Sequence, residues 1–338
     1  MKRAATIGLA FCLTILFTSC ASSTAVKSGA AAGEALIKLL PKGSMGVMAV
    51  DIHRALATEA ATKALQDPKA KEKYDEFVKM SGIDPMKDIS YVGLGISGAG
   101  GGREPDGGII ISLKYDQAKL QALIKEKAPE AKEELYGGVT IYSSLDGKGA
   151  KQTTQAAFLD AGHIVLGSEK GVKSIIDVHQ KKAESVVKDA ALAAVLKKVD
   201  KSAIAWGAFA VPQDLLKKGM ESNPQLRVLE GVNALTMAFD YRLSAFVADI
   251  QAHGGTKEQN ANLASTLNGF KGLGAMFGAQ EPVVAEALNG IEISSGEDFT
   301  RLAINLPQDV INKLGELAKA KAGDFIKVKK DEPAGEIK

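Results

Sequence analysis

The sequence predicts an α+β fold in which a strand-helix-strand-strand-helix unit is duplicated, with mostly antiparallel sheets. Three observations point to it. Many strand-like runs are joined by links shorter than the dozen or more residues that a parallel crossover needs. The order of elements in the first half returns in the second. Alanine and glycine are abundant (35 Gly in 338 residues), which suits helices packed closely on sheets.

Residues 20–42 read as a tether: Ala21 to Gly33 is small and polar, and Leu36 to Leu40 forms a short helical turn before Pro41. The N-terminal half, 43–198, opens with a strand over Gly46–Ile52. Of two helical stretches that follow, the second is capped by Asp67 and starts on Pro68. Its Tyr74, Phe77 and Val78 share a face, and it ends near Gly82. Strands over Ile89–Ser97 and Gly108–Lys114 flank a glycine-rich loop, Gly98 to Gly107. Asp116 caps a helix expected to bury Leu120, Leu123 and Ile124. Val139–Ser144 is a strand, and Gln155–Leu159 and His163–Leu166 form a hairpin across Asp160-Ala161-Gly162. A helix with Val172, Ile175 and Ile176 on one side follows.

The C-terminal half, 199–322, starts with a strand over Ala203–Val211, and Pro212 opens a helix through Leu215 and Leu216. Ala234–Phe239 and Leu243–Ile250 form a hairpin around Tyr241. Thr256 and Gln259 have the spacing of a capping box. Ile291–Ser294 and Thr300–Leu306 pair across Gly296; on the second, Thr300, Leu302, Ile304 and Leu306 alternate with Arg301, Ala303 and Asn305, the pattern of a half-buried strand. Pro307 opens a last helix with Val310, Ile311, Leu314 and Leu317 inward, and residues 323–338 read as a loose charged tail.

Residues 1–19 have the pattern of an export signal. Lys2 and Arg3 precede an apolar run from Ala4 to Phe17, shorter than the ~20 residues that cross a bilayer core. Leu16-Phe17-Thr18-Ser19-Cys20 resembles the lipobox of bacterial lipoproteins, with Phe17 where leucine is usual. The resemblance implies diacylglycerol on the Cys20 sulfur, cleavage before it, and a membrane held through that lipid. In Gram-negative cells Ala21 points to the outer membrane, facing the periplasm. The alternative is an ordinary cut after Ala21, with Ser19 and Ala21 as the small residues. The other cysteine, Cys12, lies within the signal, so no disulfide framework remains after cleavage.

Removing Lys2 and Arg3 from 42 basic residues leaves 40, against 40 acidic ones. A neutral chain argues against nucleic acid as a partner, because counterion replacement needs a basic face. One tryptophan, Trp206, leaves few platforms for base or sugar stacking.

Motifs for chemistry are thin. Gly93-Leu94-Gly95-Ile96-Ser97-Gly98 matches G-x-G-x-x-G, but it runs on to Gly102 and into another strand, with no helix to present amides to a pyrophosphate. Gly95-Ile96-Ser97-Gly98-Ala99 lacks the last glycine of a nucleophile elbow. His53, His163, His179 and His253 have no metal-ligand spacing, and Glu104 and Asp106 do not form a calcium loop. Phe270 to Gly278 is apolar and glycine-rich, and Gly274 and Gly278 fit G-x-x-x-G. Lys271 and the short length argue against a membrane span there. Within it, Met276 and Phe277 are candidate ligand or partner contacts, with core packing as the alternative.

Leu39-Leu40-Pro41 leading into GVMAVDI, and His163 to Ser168 before a helix, are similar to large exported bacterial proteins known only as domains of unknown function. That resemblance implies no activity. The expectation is a membrane-anchored envelope lipoprotein with a non-enzymatic binding or scaffold role, without catalytic residues, cofactor or metal. Its partner would be an envelope protein, lipid or polymer. The alternatives are an envelope hydrolase that assembles Asp51, His53 and Ser97, and a lipid-handling carrier with an apolar cavity.

Overall fold

Among the described residues every strand pairing is antiparallel, and the pairings join the two halves of the chain into one sheet. The computed structural model describes residues 29–97, 106–143 and 154–331. Its strands are β1 (Ser44–Asp51), β2 (Ile89–Ser97), β3 (Gly107–Leu113), β4 (Lys132–Tyr136), β5 (Val139–Ser143), β6 (Gln155–Asp160), β7 (His163–Gly167), β8 (Ala205–Ala210), β9 (Val232–Arg242), β10 (Ala245–Gly254), β11 (Ile291–Ser295) and β12 (Phe299–Pro307). They lie in the order β11-β12-β10-β9-β8-β1-β2-β3-β7-β6-β5-β4. The halves are therefore not separate sheets. They meet where β1 pairs with β8, Ala49 opposite Trp206. Outward from that seam, β1-β2-β3-β7-β6 is matched in order by β8-β9-β10-β12-β11, and the N-terminal half adds β5 and β4.

Helices α1 (Ala30–Ile37) and α7 (Glu169–His179) cover one face of the N-terminal strands, and α8 (Ala190–Leu196) packs on β8 and β9. Leu36, Leu40, Val47, Tyr91, Ile110, Val165, Val172, Ile175 and Trp206 form a continuous core there. Burial on that scale, ~25 cal/mol per Å² of apolar surface, is what holds helix to sheet. Ser168 caps α7 through the Gly171 amide, and Val172, Ile175 and Ile176 turn inward as their spacing predicts. Gly93 and Gly95 serve this packing: a Cβ on either would stand 3.1 Å or less from Leu36 or Leu40. Gly93 of the G-x-G-x-x-G run seats Leu36 of α1 and Gly95 seats Leu40 just beyond it; Gly98 itself lies outside the described residues.

Residues 30–40 fall within the stretch expected to be tether, of which residues 20–28 lie outside the described residues. The alanine run forms a helix from Ala30, and Leu36, Ile37 and Leu40 are buried in the core, so these residues belong to the folded body.

Between β1 and β2 run α2 (Ile52–Leu56), α3 (Glu59–Ala64), α4 (Pro68–Ser81) and α5 (Pro85–Asp88), four helices where two stretches were expected. Asp67 caps α4 through two amides, and Gly82 ends it at φ 74°, a conformation glycine adopts freely. Asp116 caps α6 (Gln117–Lys127) as expected. Leu120, Leu123 and Ile124 are only half-buried, because α6 packs on α4 and not within the core cluster.

In the C-terminal half α9 (Gln213–Ser222) leaves Leu215 exposed. The Thr256–Gln259 capping box is made, and α10 (Lys257–Phe277) follows it. α11 (Pro282–Asn289) and α12 (Gln308–Asp331) complete the described residues. Val310 is fully buried, while Ile311, Leu314 and Leu317 are half-buried. α12 continues through Gly323 to Asp331, so residues 323–331 are helical where a loose tail was expected; one glycine costs a helix interior ~1 kcal/mol and does not stop it.

Candidate functional site

Side chains alternate across a strand, so Thr300 and Ala303 of β12 face opposite ways. Thr300 is buried and donates to the Asn260 carbonyl of α10, which places α10 over its face. Ala303 lies opposite Asp249 of β10 and Glu292 of β11, on the other face. There the C-terminal strands form the floor of an open groove of about 360 Å³. Small residues (Ala203, Ala238, Ala303 and Gly290) make room, and Asp200, Asp240, Arg242, Asp249, Glu292 and Arg301 supply charge.

Most of that charge is internally paired. Asp240, with its side chain 4% exposed, receives Arg54 from α2 at 3.1 Å and Arg242 at 2.6 Å. Arg301 binds Asp249 through Nε and a terminal nitrogen, at 2.7 and 2.6 Å. The Ser202 hydroxyl, 2.6 Å from Asp200, holds that carboxyl below its ordinary value. Glu292 is exposed and makes no ion pair among the described residues. Paired charges on a floor of alanines rigidify the surface and leave little free charge to attract a charged ligand.

The second half of α10 presents a different surface. Phe270 is 63% exposed, Leu273 49% and Met276 75%. Steps of three residues on a helix keep them on one side. Gly269 and Gly272 face open space. Gly274 and Gly278 instead approach α11: a Cβ there would lie 3.6 Å from Leu288 and 2.4 Å from Val284. The G-x-x-x-G spacing is thus an internal helix-helix contact, and Lys271 donates to the Ile291 carbonyl at 2.6 Å. Met276 stands free on the outer side, while the Phe277 side chain lies outside the described residues.

The trio Asp51, His53 and Ser97 is not assembled. Asp51 is fully buried and caps α2 through the Arg54 amide. It lies opposite Tyr91 on β2, and Ser97 is six residues further along that strand, about 20 Å away at the rise of a strand. His53 Nε2 rests 3.3 Å from the Lys87 carbonyl. Burial first, then the Asp51 charge, pushes the Tyr91 hydroxyl up. The hydrolase built on these three residues is thereby removed.

Sequence spacing missed a convergence. His163 Nδ1 lies 2.8 Å from Asp160 Oδ1, and His179 Nε2 lies 3.1 Å from Oδ2. Burial raises the Asp160 carboxyl, but His163, the Gly162 amide and His179 outweigh it and bring the value down to about 2. The hairpin turn sets Asp160 beside His163, and α7 delivers His179 from its last residue. His253 is buried with Nε2 2.9 Å from Thr236 Oγ1, and burial lowers its pKa. Among the described residues no three His, Cys, Asp or Glu side chains are set to hold a metal ion. Among them, too, no helix is long and apolar enough to cross a membrane. Cys20 and Glu104 lie outside the described residues.

No protein-family model and no curated protein matches the chain. Three solved structures of TP0453 are similar to it. Crystal form III is 11% identical, covering 81% of this chain and 95% of that one, with a TM-score of 0.48. Crystal form I is 9% identical over 82% and 97%, at 0.44, and crystal form IV is 11% identical over 82% and 95%, at 0.45. At that distance the likeness carries neither a function nor a partner across.

Proposed function

We propose that this chain is an exported lipoprotein, lipidated on Cys20, whose folded body binds an envelope partner without catalysis. The observation that carries the binding role is the exposed apolar ridge of Phe270, Leu273 and Met276 on α10. Three large apolar side chains held outward on one helix are costly in water and mark a contact surface. The anchor rests on the resemblance of Leu16 to Cys20 to a lipobox. Two or more acyl chains hold a soluble body stably at a bilayer. Ala21 favours the outer membrane in a Gram-negative cell, with the body in the periplasm.

Intact mass of the mature N-terminal peptide tests the anchor: Cys20 should carry added diacylglycerol, and Cys20→Ser should move the chain from the membrane pellet to the soluble fraction. A start downstream of Cys20 would overturn it. A photo-crosslinker at Met276 tests the ridge. Discrete adducts from Met276 and none from exposed Glu133 on β4 support it; equal yields at both positions remove it.

A further inference from the structure

A cleft of about 220 Å³ opens between α1, α8 and β8. Its walls include Ile37 from α1, Ala193 and Leu196 from α8, and Trp206 from β8. Three lysines, Lys38, Lys197 and Lys201, share the lining. Lys201 is engaged, 2.5 Å from Glu34 and 6.0 Å from the centre of the Trp206 ring. Lys38 and Lys197 are exposed and make no ion pair among the described residues. The indole N–H of Trp206, in a side chain 1% exposed, finds no acceptor among them either.

Each feature restricts the occupant. Apolar walls beneath the surface favour hydrocarbon over a polar chain. Two unpaired ammonium groups at the mouth favour an anion and repel a cation. The volume lies below the ~300 Å³ where sites for drug-sized molecules begin, so it admits one chain and not a pair. Without Lys2 and Arg3 the chain has 40 basic and 40 acidic residues and supplies no long-range attraction, so the preference is set by these lysines.

We propose that this cleft binds the apolar chain of a single-chain anionic amphiphile, with its carboxylate or phosphate head between Lys38 and Lys197. The proposal names a ligand class and rests on the reading of the body as a binding protein. It uses neither the α10 ridge nor the lipid on Cys20.

Trp206 is the chain's one tryptophan, so its emission reports on the cleft wall. The full chain carrying Cys20→Ser, so that no lipid of its own competes, is titrated with decanoate and with decyltrimethylammonium, each below its micelle concentration. A saturable change with decanoate alone is expected. Lys38→Glu with Lys197→Glu should weaken it about ten-fold, and added salt should weaken it too. Ala193→Phe, which fills the cleft, should abolish it while the circular dichroism spectrum is unchanged. No saturable change with decanoate, or an equal response to the cation, overturns the proposal. So does a response only to anionic vesicles, which would indicate a membrane-surface contact. Failure of the anchor or of Met276 crosslinking leaves this titration untouched, so the two readings fail separately.

Discussion

The guanidinium of Arg54, on the helix after β1, lies 3.1 Å from the carboxylate of Asp240 on β9, tying residues from opposite halves of the chain. Arg54 also donates to the Ser202 carbonyl at 2.6 Å, so one side chain closes the corner where the seam between the halves begins.

Asp240→Ala should therefore destabilise the fold by about 1–3 kcal/mol, since it strands Arg54 and Arg242 against a nearly buried site. Asp240→Asn should cost less, because the amide oxygen still accepts. Urea midpoints measured at neutral pH separate the two; an unchanged midpoint for the alanine variant would show that the pairs add nothing.

Gly171→Ala should be more damaging than helix propensity suggests. Alanine improves a helix interior by ~1 kcal/mol, yet a Cβ here would stand 2.0 Å from the Gly107 carbonyl oxygen, which is backbone and cannot swing away. A net loss of about 1–3 kcal/mol is expected from overpacking. A thermal melt at or above that of the parent chain would contradict it.

Acid should weaken the end of the β6–β7 hairpin. The Asp160 carboxyl titrates at about 2 in the fold and near 4 when unfolded, so its contribution is complete above the unfolded value and lost as pH falls through the folded one. The side chain is 37% exposed, so solvent screening limits that contribution to about 1 kcal/mol. Asp160→Asn should flatten the slope of stability between roughly pH 4 and 2. Urea titrations across that range would expose an unaltered slope.

Leu243 and Ser244 form the two-residue turn of the β9–β10 hairpin with φ 50° and 54°. A turn with both central residues at positive φ favours Asn-Gly, and Leu243 is wholly exposed besides. Leu243→Asn with Ser244→Gly should raise stability by about 1–2 kcal/mol. A fall in melting temperature would mean that Leu243 makes a contact worth more than the strain.

Local signals were readable in the sequence wherever backbone chemistry dictates them. Asp67, Pro68 and Gly82 bound α4, Thr256 and Gln259 start α10, and Asp160-Ala161-Gly162 turns a hairpin. β4 escaped because Lys132-Glu133-Glu134-Leu135-Tyr136 is an exposed edge strand, with no buried side to print an alternation. α8 escaped because Ala190 to Leu196 is uniformly apolar and carries no helical period. The groove was half legible. Alternation on β12 separated Arg301 and Asn305 from Leu302 and Ile304, but the register between β10 and β12 decides that Arg301 meets Asp249. No spacing predicts Arg54 reaching Asp240, or His179 reaching Asp160, because those meetings depend on how whole elements pack.

The sheet's natural margins are β4, guarded by charge, and β11, tied to α10 by Lys271. β1 and β8 have no such guard, being apolar strands that complete one another. A gene divided between residues 198 and 199 would give each product a sticky, self-templating border. Either fragment alone should clump, or pair with a second copy of itself, and recover a monomeric state only when its counterpart is co-expressed.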